Sequence, residues 1–160
     1  MNRRNAIKQL FVVAGGIMIA SSCDFTPTAT SIQLNHIKLF RADEDLLGQL
    51  VEAIIPKSDS PGAKELKLHL FVMKMVDDCA SPADQQFFLD GLKLAEKMRD
   101  QPIENVQRYL LDFSEKQDVF FKLLKGRTIQ GYKNSEYIMK NKLVYELVPG
   151  RYNGSVKIEA

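Results

Sequence analysis

The apolar residues of this chain recur at helical spacing from about residue 43 to about residue 132. In the first such segment, 43–55, one face is aliphatic, the first turn is acidic and Pro56 follows the last apolar residue. Four later segments repeat this spacing without the alternation typical of a strand: 66–78, 82–98, 102–113 and 114–132. The pattern predicts an all-α fold, a single compact domain of about five helices.

Two short signals indicate where helices begin. Ser81 followed by Pro82 is typical of an N-cap and a first helical position. Ser114 with Gln117 resembles a capping box and predicts the start of the last helix. Beyond about residue 141 the helical period is lost. We expect an irregular C-terminal tail there, which either packs back on the helices or lies on a partner.

The first 22 residues predict an export signal that is not part of the fold. Arg3, Arg4 and Lys8 precede an apolar run of 11 residues, LFVVAGGIMIA, and no acidic residue occurs before Asp24. A transmembrane helix needs about 17–25 apolar residues, so a signal segment is the better interpretation. The sequence NRRNAIK resembles the twin-arginine signature, and the twin-arginine route exports folded proteins.

Cys23 is open to two interpretations. It follows Ala20-Ser21-Ser22, which resembles a relaxed lipobox, and acylation of the cysteine would anchor the exported chain in a membrane. Alternatively, an ordinary cleavage site lies nearby and Cys23 is incidental. Residues 23–40 are rich in small polar residues and have little periodicity. We therefore expect a tether over 23–40, followed by the helical domain over 41–160.

Charge and composition argue against several classes of function. The chain has 22 basic and 20 acidic residues, but residues 1–22 hold three bases and no acid. Without them 19 bases and 20 acids remain, so no electrostatic case for nucleic-acid binding is left. Two His and two Cys, with no CxxC, HExxH, CxxCH, GxGxxG or P-loop, indicate no metal or cofactor site. We predict no catalytic residue in this chain.

The reactive side chains of the second predicted helix are interpreted as structural. His69 lies among apolar residues, and we expect a core or interface position for it. Asp77 and Asp78 are adjacent, so their carboxylates do not face one another on a helix, and we expect a solvated helix end. Cys79 has no histidine close in sequence and is expected to be a semi-buried residue at the helix end.

Two sequence blocks carry a resemblance to a known family. The first is AIIP at 53–56 with SDSPGA at 58–63, and the second is VPGRYNG at 148–154. Between them lie FLDGL at 88–92 and TIQGY at 128–132. In this order the blocks resemble the gluconate 2-dehydrogenase subunit 3 family, over about residues 40–158.

The resemblance implies a function that the side chains alone do not indicate. Members are small non-catalytic subunits of exported sugar or sugar-acid dehydrogenases. Their large subunit is a flavoprotein of the glucose-methanol-choline type that carries FAD, a cytochrome c often accepts the electrons, and the small subunit's signal helps to export the complex. This implies a periplasmic or envelope location, with FAD in the partner and no cofactor in this chain. The alternative is a free-standing envelope lipoprotein that binds a small ligand or another envelope protein.

Contact with the large subunit is expected at the two blocks. A proline-rich loop has little conformational entropy to lose on binding, and Arg and Tyr are enriched at interface hot spots. The expected interface residues are Pro56, Asp59, Pro61, Gly62, Tyr132, Pro149, Gly150, Arg151 and Tyr152. The alternative is that these residues only shape the monomer, with Pro56 ending a helix and Gly62 turning the chain.

Overall fold

The computed structural model describes residues 29–116 and 118–143, which form six α-helices and no strand. The helices are α1 (Arg41–Ile54), α2 (Leu68–Cys79), α3 (Pro82–Leu94), α4 (Ile103–Glu115), α5 (Val119–Lys133) and α6 (Glu136–Asn141), and a 3₁₀ turn over Ala95–Met98 extends α3. The all-α prediction is confirmed. Helices α1 to α5 correspond to the five predicted segments, and α6 is an additional short helix. None of the helices in these ranges is long and apolar enough to span a lipid bilayer.

Helix α5 lies at the centre of the packing. It packs along α2 and α3, and it also contacts α1, α4 and α6. Phe120 in its first turn is buried, with its ring centroid 5.4 Å from that of Phe88 on α3. A Cβ atom at Gly91 would lie 2.3 Å from Cγ of Phe120, so the close approach of α3 and α5 depends on glycine at this position.

Helix α1 packs against α2 and α4 and encloses the core from another side. The aliphatic face found from the periodicity is the buried face, because Leu46, Leu47, Leu50 and Val51 are all at most 1% exposed. Burying one such side chain completely stabilises the fold by about 1.5–3 kcal/mol. The spacing of these four residues therefore accounts for both the helix and its orientation.

One of the two predicted helix starts is confirmed and the other is wrong. The Ser81 hydroxyl accepts a hydrogen bond from the Asp84 N–H at 3.2 Å, with Pro82 as the first helical residue, as predicted. Ser114 instead lies in the last turn of α4. The N-cap of α5 is Asp118, whose carboxylate accepts from the Phe120 N–H at 2.8 Å. An ionised carboxylate at this position also interacts favourably with the helix dipole. Gln117 lies outside the described residues.

The prediction of a tether over 23–40 is wrong for the part that the structure describes. Ile37 and Leu39 are buried in the core, with exposed fractions of 5% and 9%. The backbone N–H and hydroxyl groups of Ser31 both donate to the buried carboxylate of Glu44, each at 2.6 Å. Residues 31–39 are therefore a packed part of the domain, which begins before α1. The remainder of the predicted tether, residues 23–28, lies outside the described residues.

Candidate partner-binding site

The loop between α1 and α2 is organised around one carboxylate, that of Glu52 near the end of α1. Its Oε1 accepts from the Lys57 N–H at 3.1 Å and its Oε2 accepts from the Lys64 N–H at 2.7 Å. The two ends of the loop are also joined directly, because the Ala63 N–H donates to the Ile55 carbonyl at 2.9 Å. Residues 56–64 therefore form a closed, internally bonded turn. Its shape is set before any partner arrives.

Gly62 has a role within the monomer. It is buried, and a Cβ atom there would lie 2.3 Å from Oε1 of Glu52. A side chain at this position would displace the carboxylate that holds the loop. The geometry therefore supports the monomer-shaping alternative for Gly62.

Tyr132 of α5 is bonded to this loop. Its hydroxyl donates to Oγ of Ser60 at 3.0 Å, although 72 positions separate the two residues. Beside this contact, Pro56 and Asp59 are exposed and Pro61 is half-buried. The structure thus brings four of the predicted interface residues to one rigid surface, which we call the loop face: Pro56, Asp59, Pro61 and Tyr132.

The other predicted positions lie outside the described residues. Of the interface set these are Pro149, Gly150, Arg151 and Tyr152. The export-signal residues Arg3, Arg4 and Lys8 and the lipidation candidate Cys23 lie outside them too. They stay predictions.

A second organised carboxylate, Asp77, holds the N-terminal segment against α2. Its side chain is fully buried, so the prediction of a solvated helix end is wrong for Asp77, while Asp78 is exposed. The Asn35 N–H donates to Oδ2 at 2.8 Å, and the N–H groups of His36 and Ile37 donate to Oδ1 at 2.7 and 2.9 Å. Three successive backbone donors therefore converge on one carboxylate, which we call the Asp77 clamp.

Ionisation of Asp77 is stabilised strongly. Burial alone would raise the pKa of the carboxyl, but the three backbone donors and the Lys74 ammonium lower its pKa from 3.8 to about 2. Sequence reasoning missed this residue because its donors lie about 40 positions earlier in the chain. The clamp can hold the N-terminal segment at any pH above the acid range.

Within the described ranges, one set of three potential metal ligands occurs beside this clamp. Ligand atoms of His36, Asp77 and Asp78 lie within 4.8 Å of one another. Both oxygens of Asp77 already accept backbone N–H groups, and the Lys74 ammonium lies 3.0 Å from Oδ1 of Asp78. A cation would have to displace that lysine, so the arrangement fits a structural ion-pair cluster.

The buried carboxylate of Glu44 lies next to the N-terminal segment, and its charge acts on His69 of α2. His69 is half-buried, as expected for a residue on an apolar helix, and burial lowers its pKa. Burial would raise the pKa of Glu44, but the two hydrogen bonds from Ser31 and the charge of Arg41 lower it overall. This carboxylate thus stays ionised and fixes the segment at a second point.

Cys79 differs from its expected environment. It was expected to be semi-buried, but it is exposed at the C-terminal end of α2. The helix ends at Cys79, and the backbone is extended at the C-cap Ala80 before the N-cap of α3, Ser81. The thiol is free.

The comparisons with known proteins point to one family. Residues 41–106 and 92–150 match the family model described as Gluconate 2-dehydrogenase subunit 3. The two overlapping ranges cover more than half of the chain, and they include the whole loop face. No curated protein and no solved structure gives a significant match to this chain.

Proposed function

This chain belongs to the gluconate 2-dehydrogenase subunit 3 family, and we propose that it is the non-catalytic small subunit of an exported FAD-dependent dehydrogenase. We place its large subunit in the glucose-methanol-choline type, with a sugar or sugar acid as substrate. The observation that carries the proposal is the family match, which runs from α1 to beyond α6. The chain's own role is to stabilise the large subunit, to escort it through export and to hold it at the envelope.

The loop face supports this role. Its prolines, the Glu52 carboxylate and the bond from Tyr132 hold it in one conformation, so it loses little entropy on binding. The exposed side chains of Pro56 and Asp59 then present a preformed surface to the large subunit. Rigid display of this kind is useful to a binding subunit.

The export part of the proposal rests on the sequence of residues 1–23. Three bases, a short apolar run and a cysteine after small residues fit a twin-arginine signal with a lipid anchor at Cys23. A signal for folded cargo is useful to a complex whose large subunit binds FAD before export. A cytochrome c would accept the electrons from the flavoprotein, and we propose no residue of this chain as its binding site.

The central experiment is co-purification. The tagged full chain is expressed in its native host, captured from the envelope fraction, and the eluate is examined by absorbance spectroscopy. A yellow eluate with flavin bands and a stoichiometric second protein supports the proposal, and a sugar-oxidation assay then identifies the substrate. A colourless single chain would contradict it and would favour the free-standing lipoprotein instead.

The loop face is tested by charge reversal. Asp59→Arg is expected to lower the amount of co-purified flavoprotein at least tenfold, because it reverses an exposed charge within the contact. Glu96→Arg is the matched control, since Glu96 is an exposed acid on the 3₁₀ turn. Equal capture by both variants would remove the loop face from the interface.

The export signal is tested by two further variants. The double change Arg3→Lys and Arg4→Lys keeps the positive charge, and it is expected to block export of both subunits if the twin-arginine route is used. Cys23→Ser is expected to release the complex from the membrane fraction, whereas Cys79→Ser provides a control at an exposed cysteine. Unchanged fractionation of the Cys23 variant would refute the lipid anchor.

A further inference from the structure

Gly126 lies near the middle of α5, and no contact with the described residues explains it. At Gly62, Gly91 and Gly131 an added Cβ atom would lie less than 3.0 Å from a neighbouring side chain. At Gly126 it would meet no atom within 4 Å. Glycine in a helix interior is destabilising relative to alanine because its backbone loses more conformational entropy on folding. Glycine at position 126 therefore destabilises α5, and no close contact with the described residues requires it.

Gly126 lines an open notch between α4 and α5. The notch has a volume of about 360 Å³ and is lined by Ser114, Phe121, Lys122, Lys125, Gly126 and Ile129. One turn before Ser114 on α4, Leu111 is 62% exposed, which extends the apolar surface. Because Gly126 has no Cβ atom, another backbone or a large side chain can approach the helix closely between the apolar side chains that line the notch.

The notch is flanked by positive charge. The Lys125 ammonium lies over the Phe121 ring, 5.6 Å from its centroid, and Lys122 is one turn from Gly126 on the same helix. Neither lysine is within ion-pair distance of a carboxylate of residues 29–116 or 118–143. The surface that complements this arrangement has an apolar centre and acidic residues at its edge.

We propose that this notch receives a large apolar side chain from an acid-flanked segment of the dehydrogenase large subunit. The inference rests on the proposed function and adds a second contact region to the loop face. Hot spots are characteristically well-packed pockets near the centre of an interface, which a single anchor side chain fills. The notch is such an anchor site, with Lys122 and Lys125 fixing the orientation of the bound segment and Gly126 permitting its close approach.

A substitution at Gly126 tests partner binding with little effect on the stability of the fold, because the space beside this residue is open. In Gly126→Phe the new Cβ atom meets no atom of the described residues within 4 Å and the ring enters the open notch, so the thermal midpoint of the chain should stay unchanged or rise. Capture of the flavoprotein by the full chain from envelope extract should fall at least tenfold. Lys93→Phe, which adds the same ring at an exposed position of α3, should capture the flavoprotein like the wild type.

A second variant tests the charge. The double change Lys122→Glu and Lys125→Glu should lower capture at least tenfold at low salt, with a smaller difference from the wild type at high salt because exposed charges are screened. Equal salt dependence of the two proteins would overturn the acidic nature of the bound segment.

Each outcome separates this inference from the proposed function. If the wild type captures a flavoprotein and Gly126→Phe captures as much, the inference is overturned and the proposed function stands. If the wild type captures no flavoprotein, both fail. If light scattering shows wild-type dimers that Gly126→Phe converts to monomers, with capture unchanged, a second copy occupies the notch and the inference is overturned.

Discussion

Replacing Asp77 with asparagine tests the energetics of the Asp77 clamp. The amide has nearly the shape of the carboxylate but carries no charge and has one acceptor oxygen. When that oxygen faces the N–H groups of His36 and Ile37, the amide NH₂ faces the Asn35 N–H and the Lys74 ammonium. The variant therefore loses a charge-assisted bond and places donor groups against donor groups.

The size of the effect follows from the pKa of Asp77. Its fall from 3.8 to about 2 corresponds to about 2–3 kcal/mol of stability at neutral pH, at roughly 1.4 kcal/mol per pKa unit. Breaking hydrogen bonds to a charged group costs a similar amount, about 1.5–3 kcal/mol. We expect Asp77→Asn to lower the free energy of unfolding by about 2–3 kcal/mol.

The dependence on pH has a definite sign. Because the pKa of Asp77 is lower in the folded state, its contribution is complete above about pH 4 and is lost as the pH falls towards 2. The difference between wild type and Asp77→Asn should therefore be constant from pH 5 to 7 and shrink below pH 4. The chain has no Trp, so urea unfolding is followed by far-ultraviolet circular dichroism of the helices.

Asp78→Asn is the control for this experiment. Asp78 is the next residue and also pairs with Lys74, but its side chain is 39% exposed and accepts no backbone hydrogen bond in the described part of the chain. Its replacement should cost less than about 1 kcal/mol. If both variants lose equal stability, or if the Asp77→Asn difference does not change with pH, the account of the clamp is refuted.

Three further variants test other contacts. Gly91→Ala should cost about 1–3 kcal/mol in urea unfolding, because its Cβ atom would overlap Phe120, and a neutral result would show that α3 can shift freely. Glu52→Gln should cost about 1 kcal/mol and speed proteolysis within 56–64, since it weakens one loop bond; unchanged proteolysis would contradict this. Tyr132→Phe should cost up to about 1 kcal/mol and raise hydrogen exchange in the same loop, and unaltered exchange would show that its hydroxyl does not hold the loop.

The helices themselves could be predicted from sequence to within about two residues at most ends. The first was expected over 43–55 and is Arg41–Ile54, and the cap at Ser81 was identified correctly. Both succeed because a helix is bonded between residues four apart and a cap between residues two or three apart. The second cap failed because Ser114 and Asp118 both suit the position, and only the path of the chain out of α4 selects Asp118.

The candidate site was predicted in part. The loop at 56–62 was found from its prolines and glycine, whereas Glu52 and Ser60 gave no local signal of their roles. Glu52 is important because its hydrogen bonds close the loop, and Ser60 because it accepts the hydrogen bond from Tyr132 of α5. Residues 31–39 were missed for the same reason, since a largely polar segment without helical periodicity is typical of a tether, and only α2 supplies the Asp77 clamp that holds it.

The sequence by itself determined the class of fold, the family and the buried face of α1, because each depends on residue order or on spacing within one or two turns. Only the tertiary structure decided which polar residues are structural and which glycines are required. Asp77 and Asp78 are neighbours with the same side chain, yet one is buried under three donors and the other is solvated. Gly91 and Gly126 both lie within helices, yet one faces Phe120 and the other faces no side chain of the described residues within 4 Å. These differences come from atoms distant in sequence, whose positions are fixed by the packing of the whole domain.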